Sequence, residues 1–145
     1  EGMTRINAEF QTLFSVMFGG GTAKAAPVEE GVDVEVSIPR KKIKGLMMLS
    51  GGERALTSIA LIFALASVKP PPFIVLDETD AALDEANSKK YGDIIEILSK
   101  QSQLILITHN RETMSRAGVL YGVTMERGAS RLLSLVFEDA VVVAK

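Results

Sequence analysis

A continuous apolar run, Phe73-Ile74-Val75-Leu76, ends in two acids, Asp77 and Glu78, and constrains the fold of this chain more than any other feature. A run without polar alternation is typical of a strand buried on both faces of a parallel sheet. A helical pattern at 86–100 and a second apolar run at 104–107 follow it. Strands joined by a helix pair in parallel, so their carboxyl ends meet at one edge. The sequence therefore predicts an α/β fold with a mostly parallel sheet flanked by helices.

Two further segments carry helical patterns. Apolar residues recur on one helical face from Ile6 to Met17. They do so again within 51–67, where Lys69 and the prolines at 70–72 stop the helix. Both segments are therefore predicted to be helices that bury one face.

The remaining pattern is that of strands and turns. Residues 32–38 alternate between apolar and polar, as in a strand with one buried and one wet face. The stretch 22–31 carries small residues and Pro27 without an apolar period, which predicts a loop or hairpin connection. Two runs, at 119–126 and 130–137, predict a C-terminal β-hairpin at the margin of the sheet.

Composition excludes several classes of function. The chain has 145 residues, enough for one domain, and no cysteine, which excludes disulfides, thiolate metal sites and cysteine nucleophiles. Sixteen basic and eighteen acidic residues give a net charge of −2, too balanced to attract DNA or a membrane through the global field. The longest apolar stretch, at 55–68, is shorter than the roughly 20 residues that span a bilayer. A cytoplasmic protein without a membrane helix is expected.

Two short features near the middle of the chain have no clear function. The basic run at 40–44 is typical of a solvated turn, although contact with phosphate or DNA stays open as the alternative. Met47 and Met48 lie between Leu46 and Leu49 and are predicted to be core residues.

The two acids after the apolar run suit phosphate chemistry. Asp77 would hold Mg²⁺, usually through its water shell, and Glu78 would polarise an attacking water. The same pattern also occurs at ordinary strand ends, where the acids face solvent or cap the next helix. His109 follows the second strand and is therefore predicted to lie near both acids.

A second candidate site opens the helix that begins near residue 51. Gly51 and Gly52 leave backbone N–H groups bare at the positive end of this helix, which suits a phosphate. Ser50 with Glu53 three residues later also forms a capping box, which needs no ligand. Because each glycine weakens the first turn by up to about 1 kcal/mol, we favour the ligand interpretation.

Four motifs, in this order, resemble those of ABC-type ATPases. Residues 49–53 are similar to the signature motif, 73–78 to the Walker B strand, 80–84 to the D-loop and His109 to the switch histidine. Each motif alone is a weak signal, whereas four in order are highly specific.

The residues within these motifs narrow the resemblance to one family of such ATPases. Leu-Asp-Glu-Thr-Asp-Ala-Ala-Leu-Asp at 76–84 resembles the structural maintenance of chromosomes (SMC) family, especially prokaryotic condensin-type members. The segments at 18–23 and 120–125 resemble the same family. The resemblance covers nearly the whole chain.

The resemblance implies half of an ATPase head. Residues 1–17 would be the end of a coiled-coil helix entering the head, and 18–145 its carboxy-terminal lobe. Glu78 and His109 would be catalytic, and Asp77 would hold the Mg²⁺ that accompanies ATP.

In such heads two protomers sandwich ATP between them. Ser50, Gly51, Gly52 and Glu53 of one head would meet the γ-phosphate on the opposite head, and Asp84 would help to join the two sites. Binding and hydrolysis of ATP at this composite interface would drive chromosome condensation and segregation on DNA.

One motif of a whole ATPase is missing. The glycines at 19–21 precede Lys24 but lack the spacing of a phosphate-binding loop. The resemblance places that Walker A loop in a separate amino-terminal head segment, which becomes an expected partner. The other expected partners are a second head, a kleisin subunit and DNA, with a nucleoid-associated location and no membrane.

Three alternatives stay open at this point. A related class of DNA-repair ATPases shares the Ser-Gly-Gly-Glu core at 50–53. The nucleotide-binding subunit of an ABC transporter is expected to carry Gln in place of Glu53, so that residue argues against it. The third alternative is an interaction module that has lost catalysis, against which the intact Glu78 argues.

Overall fold

The computed structural model describes residues 2–39 and 45–135. The basic run at 40–44 and the end of the predicted hairpin, beyond 135, lie outside the described residues. In chain order the elements are helix α1 (Gly2–Phe18), strands β1 (Thr22–Val28) and β2 (Gly31–Ser37), a 3₁₀ turn (Leu46–Met48), α2 (Gly51–Val68), β3 (Phe73–Asp77), α3 (Glu85–Ser99), β4 (Gln103–Ile107), α4 (Arg111–Ser115), β5 (Leu120–Glu126) and β6 (Ala129–Leu135).

Three helices build the core, as their apolar periods predict. The buried face of α1 carries Phe10 and Phe14, which meet edge to face. The same hydrophobic cluster contains Leu56 and Phe63 of α2 and Tyr91 of α3. The helix α1 therefore shares one core with α2 and α3.

Helix α2 is the one helix of the described residues that is long and apolar enough to cross a membrane by length and composition. Core helices of soluble proteins pass the same test. Leu56, Ile59, Ala60 and Phe63 of α2 are buried in the cluster shared with α1 and α3. Packing in this core accounts for the buried face of α2, whereas Ile62 and Leu65 of the same helix are exposed.

The predicted loop or hairpin connection at 22–31 contains a regular strand, so a loop is wrong for 22–28. β1 pairs with β2 in antiparallel register, from Thr22 opposite Ser37 to Val28 opposite Gly31. Ala23 and Ala25 alternate into the protein, but alanine is too weakly apolar to reveal that period in the sequence.

The outer edge of β1 is paired by side chains of α1. The Asn7 amide donates to the Ala25 carbonyl over 2.9 Å and accepts from the Ala25 N–H over 2.7 Å. Gln11 bonds in the same way to the Gly21 carbonyl and the Ala23 N–H, both at 2.9 Å. One turn apart on the helix, these two amides satisfy alternate residues of an edge strand that would otherwise be unpaired.

The predicted single, mostly parallel sheet is not what the described residues form. They contain three two-stranded sheets, and only β3 with β4 is parallel. The strand β3 is not buried on both faces either, since Phe73 is 59% and Val75 is 52% exposed. Ile105 and Ile107 of β4 are exposed as well. Within the described part of the chain, this pair is therefore covered on one face only.

Two other predictions concern exposed residues. The C-terminal hairpin is confirmed over 120–135, with Glu126 opposite Ala129 and positive φ angles at Arg127 and Gly128 in its turn. The prediction that Met47 and Met48 are core residues is wrong, because they are 88% and 59% exposed. They sit in the 3₁₀ turn, while Leu49 is the buried residue beside them.

The turn between α1 and β1 supplies a test of the fold. Gly19 and Gly21 both have positive φ, but a Cβ on Gly21 would lie 2.2 Å from the Ser37 carbonyl oxygen, whereas nothing lies within 4 Å of one on Gly19. We expect Gly19→Ala to lower the free energy of unfolding by about 1 kcal/mol and Gly21→Ala by about 2–4 kcal/mol, measured by urea denaturation. Equal losses in the two variants would contradict the described turn.

Candidate active site

Parallel pairing brings the predicted catalytic residues together. The register runs from Phe73 opposite Gln103 to Asp77 opposite Ile107, so the residues that follow β3 and β4 leave the sheet at the same edge. The Glu78 N–H donates to the Ile107 carbonyl over 2.8 Å. His109 Nε2 lies 3.1 Å from Glu78 Oε1. The predicted proximity of His109 to Glu78 is therefore confirmed.

Both side chains are accessible to a ligand. The His109 side chain is 91% exposed and that of Glu78 is 53% exposed. They line an open cleft of about 290 Å³ together with Asp80, Ala81, Leu83 and Asn110. An exposed pair of this kind adds little to the stability of the fold.

The backbone of Glu78 has an unusual conformation. Its φ of 47° lies in the left-handed region, which costs a non-glycine residue about 1–2 kcal/mol. The Ala81 N–H donates to the Glu78 carbonyl over 3.1 Å, and the Leu83 N–H donates to the Asp80 carbonyl over 3.0 Å. The chain thus turns sharply from β3 into the D-loop at Glu78.

Asp77 meets the requirements for a partial magnesium site. Its carboxylate is exposed at the last position of β3, directly before Glu78. The residues that the structure describes contain no group of three His, Asp or Glu side chains that could hold a metal ion. Mg²⁺ is typically held by one or two carboxylates together with substrate phosphates and waters, so a single carboxylate fits this ion.

The signature motif forms the capping box that the sequence allows. Ser50 Oγ accepts from the Glu53 N–H over 3.3 Å, and Glu53 Oε2 accepts from the Ser50 N–H over 3.0 Å. A hydroxyl that accepts one bond still has its own hydrogen to donate. The Gly51 and Gly52 N–H groups donate to no group in the described ranges. The cap therefore leaves donors at this helix end available to a ligand.

The two glycines of the motif have different surroundings. A Cβ on Gly51 would meet nothing within 4 Å, so this position opens to solvent. A Cβ on Gly52 would lie 3.3 Å from Asn87 Nδ2 and 3.7 Å from the Ala82 carbonyl oxygen. The side chain of Asn87 and the carbonyl of Ala82 thus leave less room at Gly52 than there is at Gly51.

Asp84 acts locally as a helix cap. Its side chain accepts from the Asn87 N–H over 2.8 Å at the start of α3. Because Asn87 also lies against Gly52, the D-loop and the signature motif are neighbours in this chain.

Sequence reasoning missed a buried polar cluster behind the cleft. Asp80 is 3% exposed and accepts hydrogen bonds from Thr108 Oγ1, at 2.7 Å, and from Thr113 Oγ1. Thr79 Oγ1 and the Tyr91 hydroxyl lie 2.6 Å apart. The sequence signals for this cluster are the Thr-Asp pair directly after Glu78 and the threonine directly before His109.

Two further groups fasten the segment that carries His109. Asn110 caps α4 and donates through Nδ2 to Ser88 Oγ over 2.7 Å. Arg116 bonds to Asp93, Glu96 and Glu112, at distances of 2.7–3.3 Å. Hydrogen bonds to Glu96 and Glu112 raise the pKa of Arg116 above its usual range. The helix α4 is therefore tied to α3 at both of its ends.

The Tyr91 hydroxyl gives this cluster a measurable pH dependence. Burial raises its pKa above 10.0, with a smaller contribution from the charge of Asp80 and an opposing one from the bond to Thr79. Because the unfolded chain then ionises first, the free energy of unfolding should fall as pH rises past 10 and be unaffected by this group at lower pH. In urea denaturation between pH 8 and 11, the free energy of unfolding of Tyr91→Phe should fall less with rising pH than that of the wild type. Parallel falls in the two proteins would contradict this prediction.

Comparisons with known proteins identify the family of this chain. The family model described as the RecF/RecN/SMC N terminal domain matches residues 5–131. The chain is 46% identical to the chromosome partition protein Smc of Myxococcus xanthus and 44% identical to that of Bacillus subtilis, in each case over 93% of this chain and 12% of the relative. The chain thus spans about an eighth of the length of these relatives.

Solved structures show the same likeness. An Smc head bound to the C-winged helix domain of ScpA superposes with a TM-score of 0.84 at 37% identity, over 94% of this chain and 44% of that one. The SMC head domain from Thermotoga maritima gives a TM-score of 0.79 at 38% identity, over 92% and 48% of the two chains. From its sequence, its fold and the arrangement of its motifs, the chain belongs to the SMC family, as part of an ATPase head.

Proposed function

We propose that this chain is the carboxy-terminal half of an SMC ATPase head that binds and hydrolyses ATP between two heads. The observation that carries the proposal is the pair of N–H groups at Gly51 and Gly52 in the first turn of α2, which make no hydrogen bond within the described ranges. The partial positive charge at a helix N-terminus suits a γ-phosphate presented by the opposite head. ATP would then hold the heads together, and hydrolysis would remove the group that these amides bind.

The cleft at the end of β3 and β4 would supply the hydrolytic residues. Glu78 would act as general base on the attacking water, and His109, 3.1 Å from it, would contact the γ-phosphate or orient that water. Asp77 would hold Mg²⁺, which neutralises charge on the phosphates. Asp84 would link the two sites from the D-loop beside the signature motif.

A separate amino-terminal head segment would complete the site with its Walker A loop. The uncovered face of β3 and β4, which includes Phe73, Val75 and Ile105, supports a missing partner layer. An apolar face of a parallel sheet is normally covered. This chain alone should therefore show negligible turnover, and α1 would be the end of the coiled coil that enters the completed head.

The wider role follows from the family. We infer a homodimer of heads that acts on DNA in chromosome condensation and segregation, in the cytoplasm at the nucleoid. A kleisin subunit is the further expected partner, since a related Smc head has been solved with ScpA. The matches to chromosome partition proteins favour this role over that of a DNA-repair ATPase or a transporter subunit.

Replacing the general base tests the chemistry. In a head completed by its Walker A segment, Glu78→Gln should retain ATP binding, lower kcat by about 10²–10⁴-fold and accumulate the ATP-bound dimer. Steady-state ATPase assays and light scattering would measure these effects. Glu29→Gln, at the exposed turn between β1 and β2, is the matched control and should leave both unchanged. Normal turnover by the Glu78 variant would refute the assigned role.

Blocking the signature motif tests the sandwich. Ser50→Arg should spare ATP binding to the same head but prevent ATP-dependent dimerisation, because bulk and charge are added where the opposite phosphate would lie. Analytical ultracentrifugation with and without ATP is the measurement. Ser99→Arg, an equal change at the far end of α3, should dimerise normally. A normal dimer of the Ser50 variant would count against the composite site.

A further inference from the structure

The strained turn at Glu78 is held in place by the two residues that follow it. With φ at 47°, Glu78 has a backbone conformation that persists only where the surroundings fix it. Thr79 and Asp80 are both bonded to side chains from other elements. The turn is therefore anchored directly behind the candidate general base.

The first anchor is the bond between Thr79 and Tyr91. The Tyr91 hydroxyl lies 2.6 Å from Thr79 Oγ1, and Tyr91 itself is 1% exposed in the core face of α3. Its ring packs near Phe63, so phenylalanine would fill the same apolar space. A core without this hydroxyl would avoid burying a polar group, so packing alone does not explain it. What the hydroxyl adds is the bond to Thr79.

The second anchor joins the two loops of the cleft. Asp80, in the loop after β3, accepts from Thr108, which directly precedes His109, and from Thr113 in α4. Thr108 Oγ1 also accepts from the Asn110 N–H over 2.9 Å. The buried Asp80 carboxylate thereby ties the loop that follows Glu78 to Thr108 and, through Thr108, to Asn110. Thr108 and Asn110 are the residues on either side of His109.

We propose that Tyr91 and Asp80 are positioning residues for ATP hydrolysis: Tyr91 holds the Glu78 turn through Thr79, and Asp80 holds that turn against the loop of His109. This inference rests on the proposed function of Glu78. Neither anchor belongs to the signature motif, and both bond to the segments beside Glu78 and His109, so we expect their loss to change the geometry of the water-activating group more than nucleotide affinity.

The test uses the full-length protein and three hydroxyl deletions. Tyr91→Phe and Thr79→Val each remove one partner of the first bond, and Tyr121→Phe removes the hydroxyl of an exposed tyrosine in β5 as the matched control. If the bond to Thr79 holds Glu78 in its reactive geometry, its loss corresponds to roughly a 2- to 13-fold fall in kcat. We expect such a fall in both anchor variants with KM unchanged, no larger fall in the double variant, and no change in the control.

Combination with Glu78→Gln separates positioning from general loss of structure. If Tyr91 acts through Glu78, Tyr91→Phe should leave the residual turnover of the Glu78→Gln protein unchanged. An equal fractional fall in both backgrounds, or a normal kcat for Tyr91→Phe alone, would overturn the positioning role. Normal turnover by Glu78→Gln alone would instead refute the proposed function, and the positioning role with it.

The Asp80 anchor is tested with a graded pair. Asp80→Asn keeps a carbonyl oxygen that can accept from both threonines, whereas Asp80→Ala leaves two buried hydroxyls without this acceptor. We expect Asp80→Asn to retain most of the wild-type kcat and Asp80→Ala to lose most of it, with ATP binding equal in both. Should Asp80→Ala fail to fold, as judged by circular dichroism, Thr108→Val takes its place. Wild-type kcat for the variant that lacks the bond would overturn the inference.

Discussion

The parallel pairing of β3 with β4 is the interaction on which the candidate site depends. It places Asp77 level with Ile107, so that Glu78 and His109 leave the sheet side by side and approach to 3.1 Å. An antiparallel pair would send these two segments to opposite ends. The helix α3 that joins the strands also carries Tyr91, and its N-cap, Asp84, lies beside the signature motif. The same crossover thus positions acids, histidine and D-loop.

The signature motif contributes a different kind of chemistry. The helix start at Ser50 is satisfied internally by its capping box, yet the N–H groups of Gly51 and Gly52 make no hydrogen bond within the described part of the chain. In the proposed head, the phosphate at this helix end would belong to a nucleotide bound on the opposite head, and Glu78 and His109 would supply the hydrolytic residues.

Much of this arrangement could be predicted from the sequence, because its apolar runs and helical periods are strong. The runs that became β3 and β4, and the helical faces of α1, α2 and α3, are long and unambiguous. The strand β1 was missed because its inward residues are alanines. Met47 and Met48 were assigned to the core from their apolar character alone, although the 3₁₀ turn points them outward. The anchors at Asp80 and Tyr91 leave only weak signals in the sequence, because their bonds join single polar residues that are 12–33 positions apart.

The position of the γ-phosphate tests the composite site most directly. Structure determination of the completed Glu78→Gln head with ATP and Mg²⁺ should show Ser50 Oγ and the Gly51 and Gly52 amides within hydrogen-bond distance of a γ-phosphate bound to the opposite head. A bound nucleotide with no second head against it, or a dimer whose signature motifs face away from the phosphates, would contradict the account.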